Sequence, residues 1–435
     1  MLSAAQQPLS KLKVFSIKGV QMRTFHITWL TFFFCFFAWF GIAPLMPLVA
    51  EQLHLTKAQK GNIGIASVSA TIIARLIIGR LVDKWGPRKT YTLLLLLSAI
   101  PVLLIGLSNS YITFLLFRLS IGIIGASFVI TQYHTSVMFA PNIKGTANAV
   151  AGGWGNTGGG ATQIIMPLIA AGFVGLGWVS TANSWRLAMI VPGIILFVMA
   201  FVYYRYTKDT PAGNLDEIET GVKTKKQNTL LLAAKDYRTW ILTIAYAACF
   251  GVEITVDNYA ATFFHEEYKA TLIMAGLLAS IFGWLNLFAR ALGGIFSDKI
   301  GSRFGFDGKV TFLAVLLLLE GLSIIWFSKS GGLALAITLM FTFGLCLKMA
   351  NGATYSIVPF VNPEAVGGVA GIVGAGGNIG AMLIGFLFKS MPYTEAFYYL
   401  GYVVLLVGLL IVLSKLRFRV SNKNYPYGSN AAKAI

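Results

Sequence analysis

The sequence predicts an all-α integral membrane protein with twelve transmembrane helices arranged as two pseudo-symmetric six-helix bundles. Three observations support this fold class: a low content of charge, a series of long apolar runs, and an internal repeat. Of the 435 residues, 56% are hydrophobic and 11% are charged, whereas a soluble domain carries about 25% charged residues. The composition therefore indicates a chain that faces lipid rather than water.

The long apolar runs account for the twelve helices. A helix needs ~20 mostly apolar residues to cross ~30 Å of hydrocarbon, and unbroken runs exclude the alternating pattern of a membrane β-barrel. The first run is too long for the apolar core of a signal peptide and lacks a small-residue cleavage site, so we interpret it as a span. The predicted spans are 27–49, 61–82, 90–108, 111–139, 145–175, 186–206, 238–264, 271–297, 310–328, 331–357, 365–388 and 394–415.

The basic residues predict the orientation of these spans. With both termini in the cytoplasm, 24 of the 34 Lys and Arg residues lie on the cytoplasmic side, as the positive-inside rule requires. The net charge of +18 is thereby explained without a nucleic-acid partner. We expect a multi-pass protein of the inner or plasma membrane with these segments: N-terminal tail 1–26, first bundle 27–206, cytoplasmic linker 207–237, second bundle 238–416 and C-terminal tail 417–435.

An internal repeat relates the two predicted bundles. The motif Arg75-x3-Gly79-x3-Asp83-Lys84-x-Gly86 in span 2 recurs 215 residues later as Arg290-x3-Gly294-x3-Asp298-Lys299-x-Gly301 in span 8. In span 5, Gly145, Gly152, Gly155, Asn156 and Gly158 recur 222 residues later as Gly367, Gly374, Gly377, Asn378 and Gly380 in span 11. Two parallel halves of this kind are typical of transporters that work by alternating access.

Two arginines of the repeat are the strongest candidates for ligand binding. Arg75 lies eight residues before Asp83, about 12 Å along a helix that rises ~1.5 Å per residue, which places it near mid-membrane. Arg290 has the same depth in span 8. A permanent charge at that depth is costly unless it faces a cavity or a partner. We expect the two guanidinium groups to converge on one central site and to bind a mobile oxyanion, because forked donors suit planar oxyanions. A structural ion pair is the alternative.

Other charges inside the spans have several interpretations. Glu320 and Lys348 have similar depth in adjacent spans and predict a structural ion pair. Glu253 has no evident partner, so it is either a proton-coupling site or one end of a hydrogen bond between helices. Arg118 is either structural or part of a coupling network.

The glycine–asparagine segments of spans 5 and 11 are not phosphate loops, since they follow no strand and have no Gly-Lys-Ser/Thr end. Their glycines favour close helix packing, and Asn156 and Asn378 can donate to an anion or tie backbone across helices. The charged elbows after spans 2 and 8 predict contacts that lock the two halves and break on rocking. The conformational and gating candidates are Gly79, Asp83, Arg88, Gly155, Gly158, Gly294, Asp298, Arg303, Gly377 and Gly380.

Two passages resemble a known family. GRLVDKWGPRK, beginning at Gly79, resembles the loop 2–3 motif of the major facilitator superfamily. GGWGNTGGGATQIIMP, beginning at Gly152, and GAGGNIGA, beginning at Gly374, resemble the two signatures of its nitrate/nitrite porter family. CFGVEITVDN, beginning at Cys249, is closer to the plant-type high-affinity branch than to the NarK branch.

The resemblance implies the major facilitator fold, cytoplasmic termini and a substrate between the halves. The paired substrate arginines of the family match Arg75 and Arg290, and its span 5 asparagine matches Asn156. Its site-lining aromatic residues match Phe128, Tyr246 and Phe250. By analogy with the plant-type branch, Glu253 favours proton symport.

We therefore predict a secondary transporter of nitrate, and also of nitrite, coupled to protons or to nitrite exchange and functional as a monomer in the lipid bilayer. The first alternative is a carrier of another small anion, either an organic carboxylate or phosphate. The second is a non-transporting membrane sensor of anions. The three cysteines show no paired spacing and the four histidines are scattered, so we expect no metal site, no cofactor and no enzyme activity.

Overall fold

The structure is a computed structural model that describes residues 7–140, 143–215, 229–362 and 365–414. Within these ranges every extended regular element is a helix, which confirms the predicted all-α class. Much of the predicted linker (216–228) and the C-terminal tail (417–435) lie outside the described residues.

The first group of helices precedes the linker. It comprises α1 (Val20–Trp39), α2 (Met46–Gln52), α3 (Lys57–Leu104), α4 (Tyr111–Ile121), α5 (Ser127–Met138), α6 (Lys144–Gly175), α7 (Ser184–Ala188) and α8 (Ile190–Tyr206). The second group comprises α9 (Thr229–Lys235), α10 (Tyr237–Tyr268), α11 (Leu272–Trp284), α12 (Ala289–Ser328), α13 (Leu333–Val361), α14 (Val366–Ser390) and α15 (Tyr393–Ser414).

The described residues contain ten helical stretches that are long and apolar enough to cross a membrane. Two of them, Lys57–Leu107 with 51 residues and Leu272–Ser328 with 57, have the length of two crossings. The backbone turns in each at a glycine with positive φ, Gly86 at 80° in α3 and Gly305 at 70° in α12. This arrangement is consistent with the twelve predicted spans.

The helices form two compact units. The first contains Met1–Lys225 together with Thr255–Leu287, and the second contains Lys226–Ile254 together with Phe288–Ile435. The boundary thus falls inside α10 and again just after α11. It differs from the repeat-based bundles by residues 255–287, which pack with the helices of the first bundle.

Residues 255–287 belong to the first unit because they pack closely against its helices. Glycines of α6 and α11 meet backbone to backbone, so that a Cβ on Gly283 would overlap Gly160. Gly276 of α11 leaves room in the same way for the carbonyl of Gln163. Small residues permit such close approach between membrane helices. At the end of α10, Glu266 forms an ion pair of 2.5 Å with Lys60 of α3.

Candidate anion-binding and coupling residues

Arg75 lies in the first unit, on α3, and is 9% exposed. Its Nε donates a hydrogen bond of 3.2 Å to the carbonyl of Gly125, which belongs to a short 3-10 segment between α4 and α5. Its guanidinium carbon lies 5.4 Å from the centre of the Phe128 ring. The arginine is therefore held by one backbone acceptor and one aromatic face, a contact that stabilises a cation without removing its charge.

Asn156 also lies in the first unit, on α6, and is 1% exposed. Neither its amide nitrogen nor its amide oxygen has a hydrogen-bond partner among the described residues. A buried polar group left in this state costs ~1–3 kcal/mol, so the amide is suited to a ligand that supplies the missing bonds. Beside it, Gly155 leaves room for the ring of Phe32, which in turn lies 5.8 Å from the ring of Phe128.

Arg290 lies in the second unit, on α12, and is 6% exposed. Its Nη2 donates a hydrogen bond of 2.7 Å to the Tyr246 hydroxyl, and its guanidinium carbon lies 5.9 Å from the centre of the Phe250 ring. Its Nη1 is buried and has no hydrogen-bond partner in the part of the chain that the structure describes. No carboxylate of the described residues forms an ion pair with Arg290. One edge of this guanidinium is thus available to an anion.

The aromatic residues around Arg290 form a fixed support. The rings of Tyr246 and Phe250 are stacked at 5.1 Å with an angle of 6° between their planes. Tyr355 of α13 meets Tyr246 edge-on at 5.1 Å. Gly377 of α14 leaves the space that the stacked pair needs, since a Cβ there would lie 2.6 Å from Phe250 and 2.9 Å from Tyr246.

Asn378 follows Gly377 and is fully buried. Its amide nitrogen donates a weak hydrogen bond of 3.3 Å to the carbonyl of Gly374, one turn earlier in α14. Its amide oxygen has no partner among the described residues. The second asparagine of the repeat is therefore partly satisfied by its own helix, unlike Asn156.

The structure pairs Lys348 with Glu253 rather than with Glu320, contrary to the sequence prediction. The Lys348 Nζ lies 2.7 Å from Oε1 of Glu253, and Asn351 donates a hydrogen bond of 2.6 Å to Oε2 of the same carboxylate. Lys348 and Asn351 are one turn apart on α13 and together face Glu253 on α10. Glu253 therefore has partners, whereas neither carboxyl oxygen of Glu320 forms a hydrogen bond with any described residue.

Arg118 forms hydrogen bonds that join neighbouring helices of the first unit. Its Nη1 donates a hydrogen bond of 2.9 Å to the carbonyl of Trp39, and its Nη2 donates one of 3.3 Å to Oδ1 of Asn258. These bonds connect α4 with the end of α1 and with the part of α10 that belongs to this unit. They favour the structural interpretation over the coupling network.

The charged elbow of the first unit makes contacts within that unit. Asp209, just after α8, accepts a hydrogen bond of 2.8 Å from the backbone N–H of Arg88. It thereby caps the helix that restarts at Pro87 after the turn at Gly86. The Arg88 guanidinium lies 4.5 Å from the centre of the Tyr204 ring and donates a hydrogen bond of 3.3 Å to the Tyr204 carbonyl.

The elbow of the second unit uses a different pairing. Asp298 forms an ion pair with Lys309, whose ammonium lies 5.0 Å above the Phe360 ring. The Arg303 guanidinium lies 5.5 Å above the ring of its neighbour Phe304. The predicted locking of the two halves by these elbows stays a prediction.

The predicted gating glycines fall into two classes. A Cβ at Gly155, Gly158, Gly377 or Gly380 would overlap a neighbouring helix, so these four are required by packing. Among the described residues, no atom lies within 4 Å of a Cβ at Gly79, and the nearest atom to a Cβ at Gly294 is 3.9 Å away. Close packing therefore does not explain the first glycine of either elbow motif.

Comparison with known proteins places the chain in a family. The model of the family described as Major Facilitator Superfamily matches residues 28–384. The chain belongs to the Major Facilitator Superfamily. Within it the chain belongs to the nitrate/nitrite porter family, as the signatures predicted. It is 36% identical to "High affinity nitrate transporter 2.5" of Arabidopsis thaliana over 90% of this chain and 78% of that protein.

Two further comparisons agree. The chain is 29% identical to "Nitrate/nitrite transporter NrtP" of Nostoc punctiforme, covering 92% of this chain and 93% of that protein. Among solved structures, a bacterial homologue of the human lysosomal transporter Spinster, inward-facing and unoccupied, has a TM-score of 0.69. It is 16% identical and covers 92% of this chain and 96% of its own, so it supports the fold alone. The Major Facilitator Superfamily is a family of transporters, in agreement with the prediction of a non-enzyme.

The sequence prediction missed three residues that contact predicted site residues. Phe32, Tyr355 and Asn351 each contact a predicted residue, yet none belongs to a motif. The repeat contained a signal for one of them: Phe32 and Phe250 are separated by 218 residues (250 − 32), between the two motif offsets. Each packs against the equivalent glycine, Gly155 or Gly377.

Proposed function

We propose that this protein is a secondary transporter that carries nitrate, and also nitrite, across a membrane by alternating access. The main support for the proposal is the buried guanidinium of Arg290, which forms no ion pair with a described carboxylate and whose Nη1 has no hydrogen-bond partner among the described residues. A permanent cation in this state requires a mobile counter-ion. The names of the relatives at 36% and 29% identity support nitrate and nitrite as that ion.

The chemistry of the residues suits a planar monoanion. Nitrate spreads one negative charge over three oxygens in a plane, and a guanidinium offers N–H donors in a plane of its own. We propose Arg290 and Arg75 as the charged ligands and Asn156 and Asn378 as neutral donors. Phe128, Tyr246 and Phe250 supply apolar faces that exclude water, which strengthens each charge interaction.

We further propose that protons drive the transport, because two carboxyl groups, those of Glu253 and Glu320, lie buried in the second unit, and the charge of Glu253 acts on Arg290. Exchange against nitrite is the alternative. The protein acts as a monomer in the inner or plasma membrane, with both termini in the cytoplasm. These statements rest on the charge distribution of the sequence and on the family.

The test is uptake of isotope-labelled nitrate by the purified protein in liposomes, with an imposed pH gradient or with nitrite inside. Arg290→Lys and Arg75→Lys should each abolish uptake, because an ammonium cannot supply the planar fork. Arg205→Lys is the matched control, since Arg205 is exposed and should tolerate the change. Uptake at the wild-type rate by either test variant would contradict the role given to that arginine.

Competition experiments with the same liposomes distinguish a nitrate transporter from a carrier of another small anion. An excess of phosphate or of a small organic carboxylate should leave nitrate uptake unchanged, whereas nitrite should compete. Strong competition by phosphate alone would instead favour a carrier of another anion.

A further inference from the structure

Four polar side chains meet in the interior of the second unit: Glu253 on α10, Glu320 on α12, and Lys348 and Asn351 on α13. Each is fully buried. Glu253 has two partners, the ammonium of Lys348 at 2.7 Å and the amide of Asn351 at 2.6 Å. Glu320 differs from it, because neither of its carboxyl oxygens has a hydrogen-bond partner within the described ranges.

The charges of this cluster are unequal in number. Two acids face one ammonium, and Lys348 is placed against Glu253. An isolated carboxylate in an apolar interior costs several kcal/mol even after relaxation, and such a group takes up a proton instead. In this arrangement Glu320 therefore holds a proton and is neutral, whereas Glu253 is ionised.

The groups that face Glu320 are few. Glu253 and Cys249 of α10 and Cys346 of α13 lie near enough to interact with it electrostatically. On the side of α15, the contacts next to it at Gly321 come from Gly401 and Leu405, neither of which titrates. An ionised Glu320 would thus face Glu253, and no donor among the described residues forms a hydrogen bond with either of its carboxyl oxygens.

The cluster is linked to the anion ligand of the same unit. Glu253 lies seven residues, or about two turns, after Tyr246 on α10, and therefore on the same face as the hydroxyl that binds the Arg290 guanidinium. The charge of Glu253 acts on Arg290 from this position. An anion at Arg290 cancels part of the positive charge that stabilises ionised Glu253. Ionised Glu253 then depends more strongly on the ammonium of Lys348 for its stabilisation. The same ammonium stabilises a negative charge on Glu320 less, so anion binding favours the protonated form of Glu320.

We propose that Glu320 is the group that carries the co-transported proton, and that the Glu253–Lys348 pair couples its protonation to anion binding at Arg290. Loading forms one O–H bond between a carboxylate oxygen of Glu320 and a proton from water. Unloading breaks that bond and returns the proton to water, and the anion itself undergoes no chemical change. The inference rests on the proposed function, because it names the coupling group of the same transporter.

The test separates coupling from transport. Exchange of labelled for unlabelled nitrate at equal pH on both sides requires no net proton movement, whereas accumulation driven by a pH gradient does. Glu320→Gln mimics the neutral acid, so it should keep exchange within about twofold of wild type and lose accumulation. Glu320→Asp keeps a carboxyl and should restore accumulation. Glu395→Gln is the matched control, since Glu395 is an exposed acid of the same unit.

A second readout does not depend on nitrate. Infrared difference spectra recorded between low and high pH should show a carboxylic C=O band that is absent in Glu320→Gln and present in Glu395→Gln. Accumulation by Glu320→Gln, or an unchanged band in that variant, would overturn the proposal. Loss of exchange together with accumulation in a folded Glu320→Gln protein would also overturn it. If wild type exchanged no nitrate, the proposed function would fail, and the infrared band would still decide whether Glu320 takes up a proton.

Discussion

Gly377 offers a sharp test of how the aromatic support positions Arg290. A Cβ added there would lie 2.6 Å from the Phe250 ring and 2.9 Å from the Tyr246 ring. Carbon atoms in contact normally lie ~3.5–4.0 Å apart, so Gly377→Ala must displace the stacked pair by about 1 Å. Such a shift would stretch the hydrogen bond of 2.7 Å between Tyr246 and Arg290 beyond hydrogen-bond range.

The expected cost has two parts. Overpacking of a tight interior destabilises a protein by ~1–3 kcal/mol, which should lower the unfolding temperature in detergent. Loss of a hydrogen bond to a charged group costs ~1.5–3 kcal/mol. Since each ~1.4 kcal/mol is a factor of ten, the half-saturating nitrate concentration should rise roughly 10- to 100-fold.

The assay is nitrate uptake by proteoliposomes as a function of nitrate concentration, together with thermal unfolding. Gly371→Ala is the matched control because it lies on the same helix, α14, with its nearest neighbour 4.0 Å away. We expect wild-type behaviour from the control. A Gly377→Ala protein with the wild-type half-saturating concentration would show that the aromatic pair does not position the arginine.

Two stability predictions follow from the buried and strained positions. Lys348→Met leaves Glu253 without its ion-pair partner and should destabilise the protein by ~3–5 kcal/mol. Adding Glu253→Gln to this variant should recover part of the lost stability. Equal unfolding temperatures of the single and double variants would refute the ion pair. Gly86→Ala places a side chain at a φ of 80° and a ψ of 163°, 2.5 Å from the Asp209 carboxylate, and this backbone conformation costs ~1–3 kcal/mol for a residue other than glycine. Gly79→Ala, in the same motif but with open space around it, should unfold at the wild-type temperature.

The sequence predicted the features that depend on composition and spacing. Charge content and apolar runs were sufficient for the fold class, and the equal spacing of the repeated motifs led to Arg75 and Arg290. Both arginines are buried as expected. These features depend only on how far along a helix each residue lies, and that distance can be counted from the sequence.

The partners of buried charges could not be predicted in the same way. Depth in a span places Glu320 and Lys348 at one level, but it does not tell which helix Lys348 faces. Successive residues turn by about 100° around a helix, and the packing of α13 directs Lys348 and Asn351 toward α10. The ion pair between Lys348 and Glu253 was therefore not predicted, although the hydrogen bond from Asn351 fits the interpretation of Glu253 as one end of a hydrogen bond between helices.

The aromatic support was hard to predict for a different reason. The chain contains 32 phenylalanines and 17 tyrosines, so an aromatic residue in a span carries little information by itself. Phe32 and Tyr355 become significant only when their contacts with Phe128 and Tyr246 are known. Repeat equivalence between Phe32 and Phe250 was the one available signal.

The carboxylate of Asp209 has a consequence for engineering this chain. By binding the backbone N–H groups of Arg88 and of Leu215, it ties the segment that leaves α8 to the restart of α3. A reporter domain or epitope inserted between 207 and 215 would break these hydrogen bonds and destabilise the turn at Gly86. An insertion site between 207 and 215 is therefore best avoided, so that both hydrogen bonds of Asp209 are kept.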